Sequence, residues 1–215
     1  VIAYFDFTAF AIRVARCANP ACSGVATITT VDDPTNNPSP FSTSIALGAD
    51  GNPVLAYLDD VTDALMVAKC ANPACTGVAT VTTVDDPVNL LRFDAAVAVP
   101  ADGLPIIAYL DYTARTLKAA KCLNQACTGG ATISVVDDPS NNLCCDVGIA
   151  VGSDGLPVIA YRDESAGSLK VARCANASCT GAATITTVDD PSNFVGYELS
   201  IAIGADGLPV ISHRD

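Results

Sequence analysis

The sequence has no tryptophan, one methionine and one histidine, His213. Without tryptophan the chain does not match an immunoglobulin array, whose domains pack around a core tryptophan. One histidine also argues against zinc sites, because these cluster cysteine pairs and often add histidine. The aromatic content is only 6%, which weakens a sugar-binding surface because sugar faces usually stack on aromatic rings.

Basic residues are scarce as well: 11 Lys and Arg stand against 23 Asp and Glu, for a net charge of −12. This balance disfavours nucleic acid as a partner, since phosphates need clustered Lys and Arg. An acidic surface favours solubility and suits divalent cations.

Long apolar runs are missing, although half of the residues are hydrophobic. Asp, Gly or Pro interrupts every run before it reaches the length of a membrane span, so we predict none. The chain begins inside a strand pattern, with no initiator Met and no signal peptide. We therefore expect a mature product, a fragment or one window of a longer array.

One stretch of sequence occurs four times along the chain. Its period is marked by Cys17, Cys70, Cys122 and Cys174, at steps of 53, 52 and 52 residues. A regular period near fifty indicates a repeat architecture. We place one domain over 1–215, with repeats at 1–50, 51–102, 103–154 and 155–206, and a fifth copy that begins at 207–215.

Each repeat holds four short segments separated by turn signals. The first alternates large and small residues, as in SIALG, which is typical of a strand in a crowded place. After an Asp-Gly turn, the second is apolar on both faces, as in VIAYFD, and indicates a sandwiched strand. The third ends in Val-Ala-Arg-Cys or a close variant, and the fourth, ATITTVDD, is Thr-rich and more polar.

This gradient, from a small buried strand to a polar outer one, is what a β-propeller blade requires. A β-solenoid would need shorter coils, and an immunoglobulin array would need longer units. We therefore predict an all-β fold, a β-propeller of four-stranded blades. The four repeats would form a four-bladed ring or part of a larger propeller or tandem array.

Eight of the ten cysteines form Cys-x4-Cys pairs, which predict local disulfides. Disulfides are typical of an oxidising setting, so we expect the chain to be extracellular or at a cell surface. Zinc is the alternative, and the one histidine disfavours it. The predicted bridges are Cys17 with Cys22, Cys70 with Cys75, Cys122 with Cys127, and Cys174 with Cys179.

These segments resemble propeller-type repeats of large secreted or surface bacterial proteins of unknown function. The shared pattern is Asp-Gly-x-Pro-Val-Ile-x-Tyr-x-Asp, then Leu-Lys-Val-Ala-x-Cys, a second Cys and a Thr-Val-Asp strand. His213 departs from it, because it replaces the tyrosine found at Tyr4, Tyr57, Tyr109 and Tyr161. The resemblance implies a fold and a location, and it carries no known activity or catalytic residue.

Two sets of aspartates recur in the repeats. The Asp pairs end the fourth strand and favour either a Ca²⁺ site or an Asx-type turn before Pro. They are Asp32/Asp33, Asp85/Asp86, Asp137/Asp138 and Asp189/Asp190. A second set ends the second strand, where paired carboxylates of a glycosidase are one interpretation and a structural bond to a turn is the preferred one. It comprises Asp6, Asp59, Asp111, Asp163 and Asp215.

Basic residues before the first cysteine of each pair could form a ring or simply pair with nearby acids. They are Arg16, Lys69, Lys121 and Arg173. The aspartates of the Asp-Gly turns, Asp50, Asp102, Asp154 and Asp206, belong to the hairpins. Asn176-Ala-Ser is a candidate N-glycosylation site on a predicted exposed loop.

The third repeat breaks the pattern before its inner strand. Aromatic residues align there in the other copies, at Phe41, Phe93 and Tyr197. In the third repeat Cys145 takes that position and Cys144 precedes it. This pair would form a vicinal disulfide, join another chain or remain as buried free thiols.

Three functions compete: an extracellular structural or adhesive module, a carbohydrate-binding propeller that takes glycans, and a secreted hydrolase or its fragment. Repeated, symmetric candidate residues favour the structural module, so we predict no enzyme, no catalytic residue and no cofactor, with Ca²⁺ as the one alternative. The segment 210–215 would be left over if 199–204 closed a ring. An unpaired apolar strand invites pairing, so we expect a homo-oligomer or filament linked through the terminal strands.

Overall fold

The computed structural model describes residues 1–33, 43–59, 62–86, 91–138, 143–190 and 195–214, without the side chains at 91–93 and 144. These ranges contain 17 strands. Within them no segment forms a helix long and apolar enough to cross a membrane.

The strands form five antiparallel sheets that follow one another along the chain. The first contains β1 Ile2–Asp6, β2 Ala11–Arg16 and β3 Thr27–Asp32. The second contains β4 Thr43–Leu47, β5 Pro53–Asp59, β6 Ala64–Lys69 and β7 Thr80–Asp85. The third contains β8 Leu91–Ala98, β9 Ile106–Asp111, β10 Thr116–Cys122 and β11 Ala131–Asp137. The fourth contains β12 Leu143–Val151, β13 Pro157–Asp163, β14 Ser168–Arg173 and β15 Thr184–Asp189, and the fifth β16 Tyr197–Ile203 and β17 Pro209–Arg214.

Within each sheet every strand pairs with the next along the chain, so each sheet is a simple meander. The predicted all-β fold with four-stranded antiparallel sheets is confirmed in the second, third and fourth sheets. The inner strands β4, β8, β12 and β16 lie side by side, and the later strands of each sheet lie progressively further out.

The described strands do not close into the four-bladed ring that was one prediction. The inner strand β16 pairs with β17 and lies against β12, so it starts a fifth sheet instead of completing the first. The prediction of self-association through 210–215 remains a prediction. Val210 on β17 is 63% exposed, as that prediction requires.

The core lies between neighbouring sheets, and the second strands provide most of it. Every residue of β9 and β13 is buried, as is every residue of β5 except its last. Between the first two sheets, for example, Ile12 and Val14 share one cluster with Leu55 and Tyr57. Full burial of such a side chain is worth about 1.5–3 kcal/mol, so contacts between sheets dominate the stability.

Small residues on the inner strands allow these strands to approach one another. A Cβ on Gly148 of β12 would lie 3.0 Å from Leu199 and 3.1 Å from Ile201, both on β16. A side chain at Gly148 would therefore require these neighbours to shift slightly, which agrees with the small residues at this position of each repeat.

The four predicted Cys-x4-Cys disulfides are present, with Cα atoms 4.8 or 4.9 Å apart. Each one closes the loop between the third and fourth strands of a sheet. The second cysteine of each pair has a positive φ of 51–58°, which is uncommon for a residue other than glycine. The bridge therefore fixes a turn that the chain would not otherwise favour, and four such bridges are typical of extracellular proteins.

The sequon residue Asn176 has a structural role in one of these loops. Its side-chain amide donates to the carbonyl of Thr180, and its side-chain oxygen accepts the N–H groups of Ser178 at 3.0 Å and Thr180 at 3.1 Å. Asn19, Asn72 and Asn124 make the corresponding contacts in the other loops. The shared asparagine is therefore explained by the loop, and the predicted glycosylation has no support.

Tyrosines of the second strands connect consecutive sheets. The hydroxyl of Tyr109 donates to Asp85 of the preceding sheet at 2.6 Å. Tyr57 makes the same bond to Asp32 and Tyr161 to Asp137, both at 2.5 Å, and His213 lies 3.4 Å from Asp189. The first aspartate of each pair thus accepts a hydrogen bond from the next sheet. This role differs from both the Ca²⁺ site and the Asx-type turn that the sequence favoured.

We predict that Tyr109→Phe lowers the free energy of unfolding by about 1–3 kcal/mol, because it leaves the Asp85 carboxylate without its hydroxyl donor. Burial, together with the bond to Asp85, raises the pKa of Tyr109 above its usual value of 10.0. The advantage of the wild type should therefore hold below pH 10 and decline above it, as tyrosine ionises in the unfolded chain. Chemical denaturation across pH measures both effects.

Tyr4→Phe is the matched control, because Tyr4 holds the same repeat position and, among the described residues, makes no bond to an aspartate of another sheet. It should change stability little. Equal losses in the two variants would show that the bond to the preceding sheet contributes nothing.

Candidate functional site

The four inner strands enclose a cavity of about 340 Å³. Ser44, Ala96, Gly148 and Ser200 line it at equivalent positions of the four strands. Asp94 lies at the end of this lining where the inner strands begin.

Acidic residues occupy one equivalent position of the repeat, near the start of the inner strand. Asp94, Asp146 and Glu198 follow one another at intervals of 52 residues, near the starts of β8, β12 and β16. The first repeat has Ser42 at this position, which lies outside the described residues. Three consecutive sheets therefore carry an acid near the start of the inner strand, and the set is asymmetric because one copy differs.

Each acid lies in an irregularity of its strand. The pairing register shifts between Leu91 and Ala95, between Leu143 and Val147, and between Tyr197 and Ser200. The backbone is unusual at two of the sites, since φ is 81° at Cys145 and 48° at Glu198. Bulges and positive φ values change the direction of side chains, and they are enriched at functional sites. The irregular strands therefore mark these acids as candidate site residues.

Asp146, on the middle one of these three sheets, is half-buried. Its Oδ1 accepts the backbone N–H of Glu198 at 3.0 Å. Burial raises the pKa of Asp146, and the Glu198 carboxylate adds to the rise. The bond from the Glu198 N–H and the positive charges of Arg162 and Arg214 oppose it without cancelling it. A carboxyl group that keeps its proton above the usual pH range can act as a general acid.

Glu198 and two arginines complete the group. Glu198 is exposed, and its carboxylate lies 2.9 Å from the Arg214 guanidinium. The guanidinium of Arg162 covers the ring of Tyr197 at 3.8 Å from the ring centroid. An aromatic ring, two cations and the acids thus lie together at the starts of β12 and β16.

The aspartates that end the second strands have a structural role, as preferred from the sequence. Asp163 accepts the backbone N–H of Ala166 at 3.0 Å and pairs with Lys170 at 2.6 Å. Asp111 does the same with Ala114 and Lys118, and Asp6 with Ala9 and Arg13. These acids hold turns within their own sheets and are distinct from Asp94, Asp146 and Glu198.

Three of the four basic residues before the cysteines form ion pairs. Lys69 lies 2.6 Å from Asp50, Lys121 lies 2.8 Å from Asp102, and Arg173 pairs with Asp154. The hydrogen bond from Lys69 lowers the pKa of Asp50. Each pair joins the third strand of a sheet to its inner hairpin, on the side away from the starts of the inner strands.

The remaining predicted residues can be placed only in part. Phe41 lies outside the described residues, as do the side chains of Phe93 and Cys144. Cys145 is disulfide-bonded and immediately precedes Asp146. Within the described ranges no group of three or more His, Cys, Asp or Glu side chains is close enough to hold a metal ion.

Asp94, Asp146 and Glu198 were not predicted from the sequence, because the predicted sites rested on residues shared by every repeat. The signal in the sequence is the position after Phe93, Cys145 and Tyr197, which is acidic in three copies out of four. It is a difference between repeats and not a shared feature.

No protein-family model and no curated protein matches this sequence. Among solved structures, a protein of unknown function from Dyadobacter fermentans matches with a TM-score of 0.65 and 9% identity, over 94% of this chain and 64% of that one. A GH43_1 enzyme from Xanthomonas citri, complexed with xylose, matches with a TM-score of 0.56 and 13% identity, over 93% and 80%. The catalytic domain of a GH62 alpha-L-arabinofuranosidase from Coprinopsis cinerea matches with a TM-score of 0.55 and 14% identity, over 85% and 66%.

These likenesses establish the β-propeller fold, at identities too low to establish more. The chain spans less than two thirds of the Dyadobacter protein. The comparisons give no support to membership of the large secreted or surface proteins that the repeats resemble.

The comparisons overturn the prediction that the chain is not an enzyme, because glycoside hydrolases of the GH43 and GH62 types share its fold. That prediction assumed that every candidate acid recurs in all repeats. Asp94, Asp146 and Glu198 do not, because Ser42 takes their position in the first repeat. The predicted fibre subunit receives no support from the comparisons.

We predict that Asp146→Asn raises the free energy of unfolding at neutral pH. The folded-state pKa of Asp146 is raised, so the wild type loses stability as the pH rises from the unfolded value of 3.8 through the folded value. The asparagine retains an oxygen that accepts the Glu198 N–H. The gain should therefore be full at pH 7 and vanish below about pH 4 in denaturant titrations.

Asp163→Asn is the contrasting control, because Asp163 is a buried acid paired with Lys170. It should lower stability by about 1–3 kcal/mol at pH 7. If Asp146→Asn destabilised the fold as much, Asp146 would be a structural residue like Asp163.

Proposed function

We propose that this chain is a carbohydrate-active β-propeller, which holds a glycan at the mouth of its central cavity and hydrolyses a glycosidic bond there. One observation carries the proposal: Asp94, Asp146 and Glu198 stand at one repeat position, each in an irregularity at the start of an inner strand. The fold shared with glycoside hydrolases supports it. The five open sheets suit part of a propeller with more than four blades.

Glycoside hydrolysis needs two carboxyl groups in different states. One protonates the departing oxygen, and the other activates water or attacks the sugar carbon. Asp146 suits the first role, because burial raises its pKa. Glu198, exposed and paired with Arg214, and Asp94, at the end of the cavity, are the candidates for the second role.

The substrate we propose is a neutral glycan. The net charge of −12 and the acids at the mouth would repel a sulfated or uronate-rich chain. Two of the similar structures are described with pentoses, as a complex with xylose and as an arabinofuranosidase. Pentose-containing polysaccharides outside the cell are therefore the first substrates to test.

The test is hydrolysis of aryl xylosides, aryl arabinofuranosides and pentose polysaccharides by the full chain. Asp146→Asn, Asp94→Asn and Glu198→Gln should each lower kcat by about 10²–10⁴-fold, the usual contribution of a positioned acid or base. Asp154→Asn, in an exposed hairpin turn, is the control and should retain activity.

A glycan array with the same variants separates binding from cleavage. Binding without hydrolysis of any bound glycan would overturn the enzymatic part of the proposal and leave a lectin-like propeller. Neither binding nor hydrolysis would overturn both parts.

A further inference from the structure

One position of the repeat changes character along the chain. The residue before the last aspartate of the second strand is Phe5, Leu58 and Leu110 in the first three copies, and Arg162 and Arg214 in the next two. Leu58 and Leu110 are buried, at 4% and 1% exposure. The fold therefore accepts an apolar side chain at this position, and the arginines appear only beside Asp146 and Glu198.

Arg162 is fully buried, at 0% exposure. Its Nε donates to the carbonyl of Val195 at 3.0 Å, and its guanidinium pairs with Glu164. A buried guanidinium costs desolvation energy that a leucine would not, and replacing a buried ion pair with apolar groups is often neutral or stabilising. Stability of the fold alone does not explain the arginine.

The contacts of Arg162 converge on the segment 195–198, which leads into β16. Besides bonding Val195, it stacks on Tyr197 at 3.8 Å. Gly196 lies beside the Arg162 stem, where a Cβ would make ordinary contact at 3.5 Å, and its φ of 90° is a conformation that favours glycine. Arg162 thus holds three consecutive residues of this segment.

The same segment carries two parts of the candidate site. Its last residue, Glu198, presents one of the acids, and the backbone N–H of Glu198 donates to Asp146 at 3.0 Å. The chain of contacts therefore runs from Arg162 through Val195 and Tyr197 to Glu198, and from there to Asp146.

We propose that Arg162 is a positioning residue of this site: it fixes the segment 195–198, and through it the Glu198 carboxylate and the N–H that holds Asp146. It does not touch the glycan, because it is buried. The effect of Arg162 on catalysis rests on the proposed function. Its effect on the position of the segment rests on the contacts alone.

Arg162→Leu is the decisive variant, because it restores the residue that the second and third repeats already have. The protein should remain folded, with an unchanged or higher Tm. For glycoside hydrolysis kcat should fall about 10–100-fold with little change in KM, as expected for a misplaced reacting group. The exposed Arg173, changed to leucine, is the control and should match the wild type.

The pH profile separates positioning from a purely structural role. Charged groups around Asp146 are Arg162 on β13, Glu198 on β16 and Arg214 on β17, with Asp94 at the equivalent place on β8. Removing the Arg162 charge should move the limb governed by Asp146 to higher pH. Arg162→Lys keeps the charge without the planar fork, so it should retain the limb and lose kcat.

A readout without activity keeps this inference independent of the proposed function. In Arg162→Leu the amide of Glu198 should exchange with solvent at least 10-fold faster, because the bond to Asp146 loosens. The carboxyl titration of Asp146, followed by NMR, should shift upward. Unchanged exchange and titration would overturn the positioning role even in an active enzyme, whereas the expected changes in a protein without activity would overturn only the hydrolase.

Discussion

Burial of the second strand on both faces is the constraint on which the rest of this structure depends. Every residue of β9 and β13 is buried, so each of these sheets must lie between two others. The hydroxyl of a tyrosine such as Tyr109 can then be buried only because an aspartate of the preceding sheet accepts its hydrogen bond. That bond fixes the position of each sheet relative to its neighbour, and it brings the inner strands side by side around the cavity.

The sequence predicted what lies within one repeat. Strand order, buried second strands and disulfides all depend on residues close together in the chain, and the repetition multiplies each local signal. Pairing between repeats was not predictable in the same way. The bond from Tyr57 to Asp32 links two repeats, and nothing in either segment shows which partner the other will face. Closure was left open for the same reason, because it depends on the rotation between sheets.

The candidate site was not predicted from the sequence. The residues that recur in every repeat build the scaffold, whereas the candidate site residues differ between repeats. Symmetric residues such as Asp111 and Asp163 hold turns in their own sheets. Asp94, Asp146 and Glu198 lie where the pairing of their strands is irregular, and the first repeat has Ser42 in their place. Features that all repeats share therefore do not reveal the candidate site residues.

Differences between repeats also concentrate in one part of the molecule. The third, fourth and fifth sheets supply the acids, and the fourth and fifth supply both arginines of the Tyr-x-Asp position. Each difference costs stability: a carboxyl with a raised pKa in Asp146, a buried guanidinium in Arg162 and a positive φ at Glu198. A repeat under selection for folding alone would keep the leucine and the regular strand. The proposed site accounts for their loss in these sheets.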